Sequence, residues 1–133
     1  MSRKIAREYA YKLVFEYIET KDSTTPTLDE ILKDPNMTAM DAEYIKKVYE
    51  GVQAHFDEIS EIIARNATSF KGRIFKADNA ALMLAVCEMK YMDDIPLNVS
   101  ISEAVELVKM YSAEKSYSYV NGVLAGVYKE LNK

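Results

Sequence analysis

Between Ala80 and Cys87 every residue is apolar: Ala-Ala-Leu-Met-Leu-Ala-Val-Cys. This run sits inside a helical pattern over residues 75–92 and erases its polar face. A helix that is apolar all round has to be packed by neighbours on several sides, so it is read as the central helix of the fold. The rest of the chain offers those neighbours in the form of helices. It holds only four Gly and three Pro in 133 residues, too few breakers for a many-turned β fold. The expected fold is all-α, a single compact bundle of six or seven helices spanning residues 1–133 as one domain.

The periodicity places the helices. Residues 2–20 form the first, with Ala6, Tyr9, Ala10, Leu13 and Tyr17 on one side. Arg3, Lys4, Arg7 and Tyr11 fall on an adjoining arc of about 100°, which puts the cations on one face. Thr27 with Glu30 reads as a capping box opening a short helix over 28–33, stopped by Pro35. A long periodic segment starts at Asp41 and runs to about Asn66; Gly51 and His55 leave open whether it is one bent helix or two. Thr68-Ser69-Phe70-Lys71-Gly72 is a connector. Ser100 with Glu103 reads as another capping box, with Val99 and Ala104 as its hydrophobic staple. Ile101, Ala104, Val105, Val108 and Tyr111 make the buried stripe of that helix. Ser116 reads as the N-cap of the last helix, whose stripe is Val120, Val123, Leu124, Val127 and Leu131.

Charge is unevenly distributed. The chain carries a net −4, yet residues 1–12 carry +3 and leave −7 for the remainder. A basic start on an acidic body points to two surfaces with different partners. Several function classes fall away. One Cys and one His cannot close a tetrahedral metal shell, and Cys87 reads as a core residue. His55 has no triad-like context. The carboxylates Asp78, Glu88, Asp93, Asp94, Glu103 and Glu106 show no pair converging for acid–base work. No apolar run reaches the ~20 residues of a membrane span, and the amino terminus does not read as a signal peptide. No cofactor or metal is expected. The expected location is the cytoplasm.

Three segments, taken in order, resemble the NusB family of bacterial transcription antitermination factors. They are Arg3-Lys4-Ile5-Ala6-Arg7-Glu8-Tyr9-Ala10; Ala81-Leu82-Met83-Leu84-Ala85-Val86-Cys87-Glu88-Met89 closed by Asp94-Ile95-Pro96; and Ile101-Ser102-Glu103-Ala104-Val105-Glu106-Leu107 followed by Tyr119-Val120-Asn121-Gly122-Val123-Leu124. Gly51-Val52 adds a fourth match. The chain departs from the family pattern at Phe70, where Trp is common, at Met83, where Arg is usual, and at Tyr119, where Phe is usual.

The resemblance implies a non-enzymatic adaptor. It would bind boxA-type single-stranded nascent RNA together with a small-subunit ribosomal protein (NusE), and join the RNA polymerase elongation complex with other Nus factors. Arg3, Lys4 and Arg7 are the first RNA-binding candidates, since guanidinium groups suit phosphates and base edges. Phe15 and Tyr119 are candidate stacking rings. Lys115 and Ser116 lie at a helix start, where free backbone N–H groups favour a phosphate. Arg3 and Arg7 are expected to share a surface with Lys115 and Tyr119. Asp78 is the candidate contact for the protein partner. Asn121 and Gly122 read as structural, Gly122 by permitting close helix packing. A homodimer that masks the RNA face is a further expectation. The alternative is a helical module that binds protein without RNA. A ribosomal RNA methyltransferase, which can carry the same fold at its amino terminus, lacks its cofactor-binding segment here.

Overall fold

The computed structural model describes residues 1–67 and 74–132. The connector reading at 68–72, Phe70 included, lies outside the described residues. Among the described residues there are seven helices: α1 (Arg3–Thr20), α2 (Thr27–Ile31), α3 (Ala39–Ala54), α4 (Phe56–Asn66), α5 (Lys76–Tyr91), α6 (Leu97–Tyr111) and α7 (Ser116–Leu131). The described residues contain no strand.

The apolar run does what its composition demands. All residues from Ala80 to Met89 are buried, and α5 packs against α1, α3, α4, α6 and α7. The long segment after Asp41 is two helices. Thr38 opens α3 with a reciprocal capping box, its hydroxyl accepting from the Asp41 N–H while the Asp41 carboxylate accepts from the Thr38 N–H. His55 leaves helical geometry (φ −119°, ψ 24°) and its ring stacks on Tyr91 with centroids 4.0 Å apart.

Three expected caps are not caps, and for one reason: each hydroxyl finds a better partner across the fold. Thr27 donates to Glu16 Oε2 at 2.6 Å, and Pro26 holds the N-cap position of α2 without a side-chain cap bond. Ser100 lies inside α6, buried, and donates to Glu88 Oε1 at 2.9 Å. Val99, the expected staple residue, is exposed. Ser116 is buried and donates to Asp78 Oδ2 at 2.8 Å. The buried side of α6 is accordingly Ser100, Ala104, Leu107 and Val108, rotated from the expected stripe. Ile101 and Val105 are half-buried and Tyr111 is exposed. The α7 stripe is Val120, Val123, Leu124 and Val127, with Leu131 half-buried at its end.

Close backbone approach also falls elsewhere than expected. A Cβ at Gly122 would meet nothing within 4 Å, so close packing does not explain that glycine. It occurs at Gly51, where a Cβ would lie 2.8 Å from Cys87 Sγ, and at Gly126, where it would lie 2.5 Å from Asn66 Oδ1.

Acid should destabilise this bundle. The Tyr9 hydroxyl donates to Asp34, and this bond holds that carboxyl below its ordinary value. The Arg65 guanidinium does the same for Glu130. A carboxyl whose folded-state pKa is depressed stabilises the fold above its unfolded value, and that contribution is lost as pH falls through the folded value. The urea midpoint is therefore expected to hold near neutrality and to drop below about pH 4, the ordinary carboxylate range. A midpoint unchanged between pH 7 and pH 3 would contradict this.

Candidate nucleic-acid interface

The α1 helix presents its residues to very different surroundings. Arg3 and Lys4 are exposed. The Arg3 guanidinium lies over the Tyr44 ring, 4.3 Å from its centroid. It lines a small hollow of about 90 Å³ with Glu43, Lys47, Met92 and Asp94.

Arg7, expected on the same cationic face, is buried at 3% exposure. Its Nε donates to Glu88 Oε2 at 2.8 Å and its Nη2 to Oε1 at 3.3 Å. The same carboxylate accepts from the Tyr44 and Ser100 hydroxyls. Burial opposes the Arg7 charge, but the hydrogen bond from Arg7 to Glu88 and attraction from Tyr44, Glu88 and Glu103 outweigh it, so the guanidinium is held above its ordinary value. All four acceptor positions of Glu88 are engaged. One buried carboxylate thereby joins α1, α3, α5 and α6. Arg7 is held in a buried ion pair with Glu88 and does not stand on the exposed cationic face expected for it. The helical wheel put it beside Arg3 and Lys4 correctly. What the wheel could not show was that α5 brings an acid to meet it.

Asp78 is turned inward in the same way. It is 3% exposed and accepts from Ser112 and Ser116. It anchors the α6–α7 turn to α5 and presents no face to a protein partner. Ser116, its donor, is likewise turned inward and not toward a phosphate.

Of the remaining candidates Lys115 is exposed and Tyr119 is half-buried. Phe15 is half-buried and lines a hollow of about 310 Å³ with Tyr11, Lys12, Ala77 and Tyr111. A contiguous groove of about 540 Å³ adds Ile74, Phe75, Lys76, Ser112 and Ala113. Tyr111 stacks on the buried Tyr11, centroids 5.3 Å apart, and donates to Glu8 Oε1 at 2.7 Å. Lys115 and Tyr119 meet in a separate cleft of about 800 Å³ between α4 and α7, lined also by Asn66, Tyr117 and Gly122.

The expected single patch is therefore not formed. Arg3 stands beside Met92 and Asp94 at the end of α5, whereas Lys115 adjoins Ser116, which is tied to Asp78 at the start of α5. Some fourteen residues of helix separate the two ends, about 20 Å. What joins them is the exposed edge of α1, where Lys4, Lys12 and Phe15 follow one another toward Tyr111 and the α6–α7 turn. The site is a track and not a spot. Lys12, Phe75, Lys76 and Tyr111 belong to it although neither periodicity nor motif assigns them a site role. For Tyr111 the exposed helix end was the available signal.

Among the described residues there is no group of three or more His, Cys, Asp or Glu side chains placed to hold a metal. No described helix is long and apolar enough to cross a membrane.

Comparison with known proteins bears directly on this arrangement. The transcription antitermination protein NusB of Acetivibrio thermocellus is 42% identical over 130 residues, covering 97% of this chain and 90% of that protein. Its counterpart in Listeria monocytogenes is 40% identical over 131 residues, covering 98% of each. Among solved structures, NusB of T. maritima superposes with a TM-score of 0.87 at 29% identity, over 98% of this chain and 92% of that one. A crystal structure of the antitermination factors NusB and NusE in complex with dsRNA gives 0.81 at 29% identity, over 96% of each chain. The family model described as "NusB family" matches residues 4–129, and with relatives of about 40% identity over nearly its whole length the chain belongs to the NusB family.

Proposed function

We propose that this chain is a transcription antitermination factor. It binds boxA-type nascent RNA together with a small-subunit ribosomal protein of the NusE kind and joins the elongating RNA polymerase in the cytoplasm, as a single RNA-binding domain and not as an enzyme. The observation that carries this reading is the exposed cation–aromatic edge of α1 on a protein that is otherwise acidic. The relatives named above are antitermination proteins, and one similar structure is a complex with NusE and RNA. Lysines along α1 would hold phosphates, and the rings beside them would take bases. Arg3, Lys4 and Lys115 remain the proposed cationic contacts, with Phe15 and Tyr119 as proposed stacking rings. Asp78, buried against Ser112 and Ser116, is not kept among the proposed partner contacts.

The test is a fluorescence anisotropy titration of boxA-like against scrambled RNA, with and without the ribosomal protein. Affinity for boxA-like RNA is expected to rise when the partner is present, because two linked contacts raise the effective concentration of each. The Arg3→Ala/Lys4→Ala variant is expected to bind more weakly. Its dependence of log affinity on log salt should flatten by about 0.7 for each phosphate that is no longer neutralised. Wild-type protein that ignores RNA at low salt, alone and with the partner, would overturn the reading.

A further inference from the structure

We infer that Gly122 is a specificity-determining residue of the cleft between α4 and α7, its bare backbone leaving the room in which one unpaired RNA nucleotide lies beside Tyr119. The inference rests on the RNA-binding reading above and adds to it a residue that has no side chain to offer.

Gly122 disfavours its own helix, and nothing inside the fold offsets this. It stands in the interior of α7, where glycine is a poorer helix former than alanine. It is exposed, and a Cβ there would meet nothing within 4 Å. Neither a turn nor a neighbouring helix requires it. The remaining use of a glycine is to let a ligand come close to the backbone. The wall that Gly122 forms belongs to the cleft of about 800 Å³ that also holds Lys115, Ser118 and Tyr119.

One turn further along α7, Gly126 has the opposite surroundings. A Cβ there would lie 2.5 Å from Asn66 Oδ1. The Asn66 amide donates to the Ile62 carbonyl at 2.9 Å and to Glu130 Oε1 at 3.3 Å, and Arg65 Nη2 donates to Glu130 Oε2 at 2.7 Å. These contacts fasten the end of α4 to α7 beside Gly126. Residues four apart share a helix face, so one face of α7 is in contact at Gly126 and open at Gly122. The two helices form a wedge, closed at Gly126 and open toward Tyr119. Asn66 belongs to both ends, since it packs on Gly126 and lines the cleft. The opening is therefore built into the packing of α4 on α7.

The lining selects the occupant. Glu114 and Lys115 both border the cleft, so their charges offset and shape decides. Tyr117 and Tyr119 supply rings, and every nucleobase has a face that stacks on one. The Ser118 hydroxyl can bond a base edge or a 2′-hydroxyl. A side chain at 122 would project into the space that the base and its ribose need. The cleft adjoins Lys115, already a proposed cationic contact, so a strand held there need not leave the protein to enter it.

Gly122→Ala and Gly122→Gln are the variants to make. Each puts a better helix former into open space, so the urea midpoint of both is expected to rise. Affinity for single-stranded boxA-like RNA is expected to fall about threefold for alanine and about tenfold for glutamine, the latter matching the loss of one stacked base. The salt dependence should not change, because no phosphate contact is removed. Gly126→Ala should instead lower the urea midpoint, since its Cβ meets Asn66. A gain in stability joined to a loss of affinity is a pair of results that a purely structural glycine does not give.

Equal RNA affinity of wild type and Gly122→Gln, alongside weaker binding by Arg3→Ala/Lys4→Ala, would remove Gly122 from the site and leave the RNA-binding reading standing. Unchanged RNA affinity with weakened binding of the ribosomal protein would make the cleft a protein contact, and would equally overturn the inference. A lower urea midpoint in Gly122→Ala would mean that the fold itself requires the glycine, which overturns it too. Failure of the wild type to bind any of these RNAs would remove both.

Discussion

Replacing Glu88 by alanine is expected to cost about 3–5 kcal/mol of folding stability, the range for breaking a buried ion pair by removing one partner. The carboxylate is fully buried and serves three donors on three different helices: Arg7 on α1, Tyr44 on α3 and Ser100 on α6. Its loss strands a guanidinium and two hydroxyls in the centre of the bundle. The cost comes from the stranding and not from the strength of the pair. A triple variant, Arg7→Met with Glu88→Leu and Tyr44→Phe, removes both charges and the Tyr44 donor, leaves the Ser100 hydroxyl to turn to a carbonyl of its own helix, and should recover much of the stability. Urea denaturation measures both. A Glu88→Ala protein within about 1 kcal/mol of wild type, less than the penalty for one unsatisfied charged group, would show that the network carries little. The triple variant also decides the role of Arg7 in recognition. If Arg7 is purely structural, RNA affinity should survive its replacement once the fold is restored. A drop in affinity in a stable triple variant would return Arg7 to the RNA surface.

The second large effect belongs to Asp78. Asp78→Ala removes the acceptor of two serine hydroxyls, Ser112 and Ser116. Hydrogen bonds to a charged group are worth about 1.5–3 kcal/mol each. Because the two share one carboxylate, a combined loss of about 2–4 kcal/mol is expected by the same rule. The consequence should be local as well as global. Ser112 and Ser116 bracket the turn that carries Lys115, so amide hydrogen exchange should accelerate through residues 112–116 before the rest of the molecule opens. If exchange in that turn is unchanged while α5 loosens, Asp78 is not its anchor. Binding of a basic protein partner should not depend on Asp78 beyond this stability effect, since the carboxylate is turned inward.

The two effects share a lesson about polar residues in this chain. Glu88 and Asp78 look like members of a solvated acidic face when read along the chain. The structure uses both to hold helices together. Arg7 shows the complement: its helical phase is legible in the sequence, and that phase puts it next to Arg3 and Lys4. The remaining exposed members of that set do line the candidate RNA track. The serines mislead in the same direction. Ser100 and Ser116 stand near helix starts, where hydroxyl caps are common, and each instead donates to a carboxylate on α5. Phe75 and Tyr111 escape notice as surface rings because an aromatic residue in sequence does not announce which side of its ring is covered.

The all-helical class, the helix order and the central place of the apolar run from Ala80 follow from the chain alone, whereas the break at His55 that makes two helices of residues 41–66 does not. The first three rest on side chains three and four residues apart, a distance over which the backbone itself fixes the geometry. The family likewise rests on residues in a linear order. Which charged and hydroxyl groups face inward was decided only by the packed bundle. Arg7 meets Glu88 across 81 positions of chain, and the choice between solvent and such a partner is made by how the helices come to lie against one another.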